Sequence, residues 1–317
     1  MGHRKHSAPR RGSLAYRPRG RAKSLVPRIR NWPSVKSDKP TMLGFPGYKA
    51  GTIHVITVDD RAKTPNFGKP RFNLSSVIAM PEAEVVGIRI YTHENGQDKC
   101  VGEAKTGSGV KLEALPIQRA TKVAALVSSV PREAGLSQKV PIVTEVGVSG
   151  ADTKSQAEYV YALLGKKVKF GDLFKAGMYV DVLGITKGKG FEGPVTRFGI
   201  KRKQHKSRKS VRAVGVIGPW HPAAVTYTTA RAGQMGFHQR TETGKRILIT
   251  GNAKESPITP SGGFLHFGNV NGEYAVLRGS VPGPARRYVM VRMRNRGFSK
   301  TQAPPQVVEV STVERKR

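Results

Sequence analysis

Short runs of β-branched and aromatic residues, bounded by Gly, Pro, Asn and Asp, recur along most of the chain. Such runs are typical of strands in which a packed face alternates with an outer one. They predict strands at 52–58, 84–91, 99–104, 122–130, 140–148, 178–185, 211–217, 245–250, 264–270, 273–278 and 287–293. Many short strands with glycine-rich turns favour a barrel or a sandwich.

Helical periodicity is strongest at residues 152–164. Ala157, Val160, Tyr161 and Leu164 follow the i, i+3, i+4, i+7 spacing of one helix face. Asp152 or Thr153 can cap the start and Gly165 can end the helix. The apolar stripe predicts core packing, and the helix belongs to a middle portion with α/β character.

Two long tracts lack apolar periodicity and contain no acidic residue. Residues 1–37 have eleven Lys or Arg with four prolines, and residues 193–241 have ten Lys or Arg. Prolines at this density prevent a helix. The first tract is either a disordered, solvated tail or an arm that becomes ordered on RNA, and its basic composition favours the arm. The second predicts a long extension that leaves the strand domain and returns to it.

The net charge of the chain indicates what these two tracts bind. The chain has 317 residues with 55 Lys or Arg against 21 Asp or Glu, a formal net charge of +34. A polyanion must offset this charge, and nucleic acid is the obvious candidate. One cysteine excludes an intramolecular disulfide. With no apolar run long enough for a membrane span or a signal peptide, we expect a soluble, cytoplasmic protein.

A G-x-G-x-x-G pattern at Gly188, Gly190 and Gly193 is compatible with a dinucleotide site only if a helix follows. Pro194 and a basic coil are expected there instead, and no acidic residue comes before Glu242. A turn that lets the backbone approach an RNA phosphate is the better interpretation.

Other site chemistry has no support in the sequence. Only His3 and His6 lie close together, in a segment too irregular for rigid metal coordination. No nucleophile elbow or zincin helix occurs, and the basic tracts lack carboxylates for acid–base catalysis. We therefore expect no enzyme, no metal, no cofactor, no small-molecule substrate and no membrane partner.

Basic residues alternate with aromatic residues and glycines in both tracts, as expected where cations contact phosphates and rings stack on unpaired bases. Trp220, between Pro219 and Pro222, is interpreted as an RNA-facing tip instead of a core tryptophan, whereas either interpretation suits Trp32 equally. The candidate RNA-binding residues are Arg4, Lys5, Arg10, Arg11, Arg17, Arg19, Arg21, Trp32, Lys187, Lys189, Arg197, Lys201, Arg202, Lys203, Lys206, Arg208, Lys209, Arg212, Trp220, His221, Arg231, His238 and Arg240.

Several motifs occur in a specific combination through nearly the whole chain. They are GHRK at 2–5, LGFPGYKAG at 43–51, ITKGKGF at 185–191, IGPWHP at 217–222, RAGQMG at 231–236, HQRT at 238–241, GGF at 262–264 and GSVPGP at 279–284. With them the chain resembles the universal ribosomal protein L-three family of the large subunit, in its archaeal and eukaryotic form. One departure is Gly51-Thr52-Ile53-His54, where the family usually has Gly-Met-Thr-His.

The resemblance implies a mostly β protein with a six-stranded barrel of the translation-factor type, an α/β insertion and long basic non-globular extensions. The implied parts are an N-terminal arm at 1–42, the first part of the barrel at 43–106, the insertion at 107–170, a barrel strand at 171–192, a central finger at 193–241, the second part of the barrel at 242–293 and a basic tail at 294–317.

The resemblance also implies a structural constituent of the large ribosomal subunit. It would bind 23S-type rRNA and neighbouring ribosomal proteins, help assembly, and support the peptidyl transferase centre through a finger tipped by Trp220. Two alternatives are an RNA-modifying enzyme with a basic arm, which should carry paired acids or a cofactor loop, and a DNA-compacting chromatin protein, which should be rich in lysine and poor in strands.

Overall fold

The computed structural model describes residues 9–35, 37, 39–107, 112–207, 210–295 and 303–311. The chain divides into two compact units. The arm–extension unit consists of Met1–Ser24, the arm, and Thr186–Gln239, the extension. The barrel unit consists of Leu25–Ile185 and Arg240–Arg317.

Strands dominate the described residues. They are β1 Thr41–Met42, β2 Gly44–Val58, β3 Pro70–Ala79, β4 Ala83–Glu94, β5 Gln97–Lys105, β6 Lys122–Ser129, β7 Ile142–Ser149, β8 Lys167–Val168, β9 Tyr179–Ile185, β10 Gly188–Glu192, β11 Gly233–Gly236, β12 Gln239–Asn252, β13 Glu273–Arg278, β14 Tyr288–Met293 and β15 Val307–Ser311. The helices are α1 Thr153–Ala162, α2 Phe170–Leu173 and α3 Pro194–Phe198, with 3-10 turns at Leu112–Ala114, Ile117–Arg119 and Pro131–Ala134. The mostly β class is confirmed.

Six strands of the barrel unit pair in a closed ring. The order runs β14, β9, β12, β13, β3 and β2, and β2 pairs again with β14. Strand β2 can take part twice because it is long: its first residues pair with β14 from Gly44 to Tyr48, and the rest pairs with β3. We call this ring the barrel. Strand β15 pairs antiparallel with β2 between His54 and Thr57, beyond the part of β2 that pairs with β14.

A second sheet in the barrel unit has the order β1, β7, β6, β4, β5, with β8 beside β4. Helix α1 supplies Ala157 and Val160 to the buried cluster, as the periodicity predicted. The aromatic rings of Phe45, Phe170 and Phe174 join this cluster in a stack and an edge contact. Burial of these apolar side chains is the main source of stability for both sheets.

Two predicted strands are wrong. The run at 211–217 pairs with no strand within the described residues, and Val216 is exposed. A β-branched run forms a strand only where a neighbouring strand provides hydrogen-bond partners and a packing surface. Residues 264–270 form a tight loop in which the Phe264 and Gly268 backbones bond each other, while Phe264 and Phe267 pack into the core. The apolar residues were identified correctly, but their conformation was not.

The change from one sheet to the other does not fall at the predicted boundary of 106 and 107. Strands β4 and β5, expected in the first part of the barrel, lie in the second sheet, where β4 pairs with β6 on one side and with β5 on the other, so the change comes between β3 and β4. Strands β1, β3, β8, β10, β11 and β15 were not predicted from the sequence. A coil was expected where Pro194 opens the short helix α3.

Candidate nucleic-acid interface

The arm–extension unit is strongly cationic. Its described residues include fifteen Lys or Arg, and Glu192 is the one acidic residue among them. Most of these cations lie at the surface. The predicted residues that are exposed are Arg10, Arg11, Arg21, Lys187, Lys189, Lys201, Arg202, Lys206, Arg212, Trp220, His221 and Arg231. Arg17, Arg19, Arg197 and Lys203 are half-buried.

A two-stranded ribbon organises the extension. Strands β10 and β11 pair antiparallel, with Gly188 opposite Gly236. The ribbon turns sharply at Gly236, whose φ is +72°, and a Cβ there would lie 2.0 Å from the Lys187 carbonyl oxygen. The glycines of the G-x-G-x-x-G pattern therefore lie in and just after an antiparallel strand, which differs from the parallel strand–helix unit of dinucleotide sites.

His238 joins the arm to this ribbon. Its Nδ1 donates to the Gly20 carbonyl at 2.8 Å, while its Nε2 accepts from the Gly236 amide at 3.1 Å. The pattern places the proton on Nδ1 and uses both ring nitrogens. The Ala22 amide adds a 2.8 Å bond to the Phe237 carbonyl. His238 is therefore buried, and its ring holds the arm against the ribbon beneath the exposed cations.

Arginines of the arm stack on aromatic rings of the extension. The Arg17 guanidinium lies 4.8 Å from the Tyr227 ring centroid, and that of Arg19 lies 4.6 Å from the Phe198 centroid. Arg10 donates a 2.8 Å bond to the Thr228 carbonyl. These contacts hold the arm against the extension, and each stacking contact uses the face of the guanidinium and not its in-plane N–H groups.

Trp220 is the most exposed large hydrophobic side chain among the described residues of the extension, with 88% of its surface accessible. Pro219 and Pro222 restrict the backbone on both sides of the Trp220-His221 pair. The His221 ring stands edge-on to the indole at 6.3 Å between centroids. An exposed indole on a stiff segment has the geometry needed to stack on an unpaired base.

The remaining predicted residues are elsewhere. Trp32 lies in the barrel unit, half-buried against the core, and its ring packs on Gly44 and Gly147. Arg240 also lies in the barrel unit. Arg4, Lys5, Arg208 and Lys209 lie outside the described residues.

Sequence reasoning missed three residues of this surface. Phe198 and Tyr227 receive the arm arginines, and Lys23 lines a groove with Arg21 beside Gly188. Aromatic residues inside an acid-free tract were the available signal, because a ring there has few apolar partners. Within the described ranges, no His, Cys, Asp and Glu side chains cluster as a metal site would need, and no helix is long and apolar enough to span a membrane.

Comparisons with known proteins identify the same family over nearly the whole chain. The family model of ribosomal protein L3 matches residues 1–99 and 98–313. The large ribosomal subunit protein uL3 of Methanococcus maripaludis strain C5 is 40% identical over 97% of both chains. Its counterpart from Pyrobaculum calidifontis is 42% identical over 97% of this chain and 98% of the relative. The large ribosomal subunit protein uL3 of Caldivirga maquilingensis is 43% identical over 90% of this chain and 89% of the relative.

Proposed function

Because the chain belongs to the ribosomal protein L3 family, we propose that it is a structural constituent of the large ribosomal subunit that binds ribosomal RNA. The observation that carries the RNA-binding role is the arm–extension unit, with fifteen described cations and one described acid. Its cations contact phosphates, and each contact releases counterions into solution. In this role the protein positions RNA and performs no chemistry with its own side chains.

The finer part of the proposal concerns the extension. Trp220 stacks on an unpaired base and supports the peptidyl transferase centre, while the basic segments help the RNA to fold during assembly. The support is the 88% exposure of the indole, its two flanking prolines and the resemblance of the IGPWHP motif to the family's finger tip. Neighbouring ribosomal proteins are further partners, as expected for a subunit constituent.

Salt dependence tests the phosphate contacts. If six phosphates are contacted, the affinity for a large-subunit rRNA fragment should fall about a thousandfold between roughly 50 and 200 mM salt. A duplex DNA of equal length serves as the control for charge alone, and it should bind more weakly than the folded rRNA fragment. A flat salt response would contradict phosphate binding, and stronger binding to DNA would favour the chromatin alternative.

Trp220→Ala tests the role of the tip. Subunits that contain the variant should assemble, yet nucleotides near the catalytic centre should change their chemical reactivity. Lys201→Ala, an exposed cation of the same extension, is the matched control and should not change that local pattern. Unchanged reactivity with Trp220→Ala would contradict the proposed position of the tip.

A further inference from the structure

A pocket in the arm–extension unit is lined by four arginines. Arg17 and Arg19 come from the arm, and Arg197 and Arg231 come from the extension. The other described residues that line the pocket are neutral, among them Tyr227, and no carboxylate is among them. The pocket exists only where the two segments lie together, because each contributes half of its cations.

Neutral groups hold two of these guanidinium groups in place. Arg197 donates from Nε to the Gln234 carbonyl and from Nη1 to the Arg231 carbonyl, each at 3.0 Å. Arg19 donates from Nη2 to the Ser13 carbonyl at 2.7 Å. A carbonyl fixes the direction of a guanidinium but does not neutralise its charge. The pocket is therefore preorganised and cationic.

The surroundings of Arg197 disfavour its positive charge. Burial lowers the pKa of Arg197 from its ordinary value, and the positive charge of Arg17 lowers it further. Both causes destabilise the charged form of a group that stays protonated at neutral pH. An anion in the pocket would offset both effects at once.

We propose that this pocket binds one phosphate group and that the bound phosphate ties the arm to the extension. The inference rests on the proposed function, because the RNA backbone is the source of the phosphate. A phosphate fits better than a carboxylate, since its oxygens point in several directions and can accept from guanidinium forks on both sides. Because the arginines of both segments contact it, binding and docking of the arm are thermodynamically linked.

Hydrogen exchange of the full-length protein measures this linkage at the arm. Amides of residues 12–17 and 19 are followed in sodium phosphate, in sodium chloride of equal ionic strength, and with the dinucleotide uridylyl-uridine, which carries a single phosphodiester. The pocket variants are Arg17→Gln, Arg231→Gln and the pair. Arg11→Gln, Arg212→Gln and their pair are matched controls, since both residues are exposed and neither lines the pocket.

Phosphate and the dinucleotide should slow exchange at residues 12–17 and 19 severalfold relative to chloride, and the pocket variants should lose this protection while the controls keep it. Each pocket substitution should weaken binding of the rRNA fragment about tenfold, equivalent to about 1.4 kcal/mol. The pocket pair should lose clearly less than the product of the two single effects, because either substitution already disrupts the shared site. The control pair should be additive.

Three results would overturn the inference. Absence of protection by both probes, or equal effects of the pocket and control pairs, would leave only diffuse charge attraction. Protection by free phosphate but not by the dinucleotide would exclude the RNA backbone as the source. In each case strongly salt-dependent RNA binding would still support the proposed function, whereas its loss would contradict that function independently. Unchanged circular dichroism of each variant confirms that the barrel is folded.

Discussion

The two tryptophans of the chain allow one substitution to act as the control for the other. Trp220 lies on the extension with its indole in solvent, whereas Trp32 lies half-buried against the barrel core. We predict that Trp220→Ala lowers RNA affinity with little loss of stability, and that Trp32→Ala lowers the stability of the barrel unit. The two variants remove the same side chain from opposite environments.

The magnitudes follow from burial. An indole that is 88% exposed buries roughly 30 Å² of a side chain of about 250 Å², so its removal costs less than about 1 kcal/mol. The Trp32 ring lies so close to two strands that a Cβ on Gly44 or Gly147 would be 2.8 or 2.5 Å from it. Removing a fully buried Trp costs about 3 to 5 kcal/mol, and the half-buried position reduces this to about 2 to 4 kcal/mol.

Urea unfolding followed by circular dichroism measures the stability difference. Each variant leaves a single tryptophan, so quenching by the neutral molecule acrylamide should be strong in Trp32→Ala and weak in Trp220→Ala. Loss of stacking should weaken binding of the rRNA fragment to Trp220→Ala by about 1 to 3 kcal/mol, or roughly five- to over a hundredfold. A destabilisation by Trp220→Ala equal to that of Trp32→Ala, with unchanged RNA affinity, would refute the reasoning.

Three further predictions concern the frame of the molecule. Gly236→Ala places a Cβ 2.0 Å from the Lys187 carbonyl oxygen and should speed exchange of the Phe237 amide, whereas Gly190→Ala, with a similar φ of +69° and open space, should not. Asp181→Asn leaves the buried Arg292 guanidinium without its counter-charge and should lower the unfolding free energy by about 3 to 5 kcal/mol. Asp98→Asn, at an exposed pair that solvent screens, should change it far less. The Arg246 hydrogen bond lowers the pKa of Asp60, so this pair stabilises the fold above the ordinary carboxyl pKa near 4, and the contribution is lost as pH falls further. Urea midpoints between about pH 7 and 3 should therefore fall less steeply for Asp60→Asn, and equal slopes would contradict this assignment.

The fold could be predicted where the local pattern and the tertiary environment agree. The strand Glu273–Arg278 has the predicted bounds because it is a β-branched and aromatic run with partners on both sides. Strand β3 was missed because polar residues interrupt its apolar run. Asn73 donates to the Thr57 hydroxyl and Ser76 to the Gly279 carbonyl, so these residues are buried with partners that lie far away in the sequence.

The candidate interface shows the same division. Composition alone identified the two acid-free tracts as candidate RNA-binding segments, because a packed core does not require so many cations. It could not pair Arg17 with Tyr227 or Arg19 with Phe198, contacts that join positions about two hundred residues apart. Nor could it distinguish His238, which uses both ring nitrogens within the protein, from a histidine that faces RNA.

The distribution of acids explains why the charge is not spread evenly. Residues 82–173, which include most of the second sheet, hold eleven of the 21 acids and twelve of the 55 cations, so this segment is nearly neutral and the rest of the chain has the excess. Several of its cations form ion pairs: Arg89 contacts Glu103 and Glu145, and Lys122 contacts Asp98. A paired cation releases few counterions on meeting a phosphate. We therefore expect the salt-dependent affinity to come from outside this segment, and the second sheet to stabilise the barrel unit without adding to RNA binding.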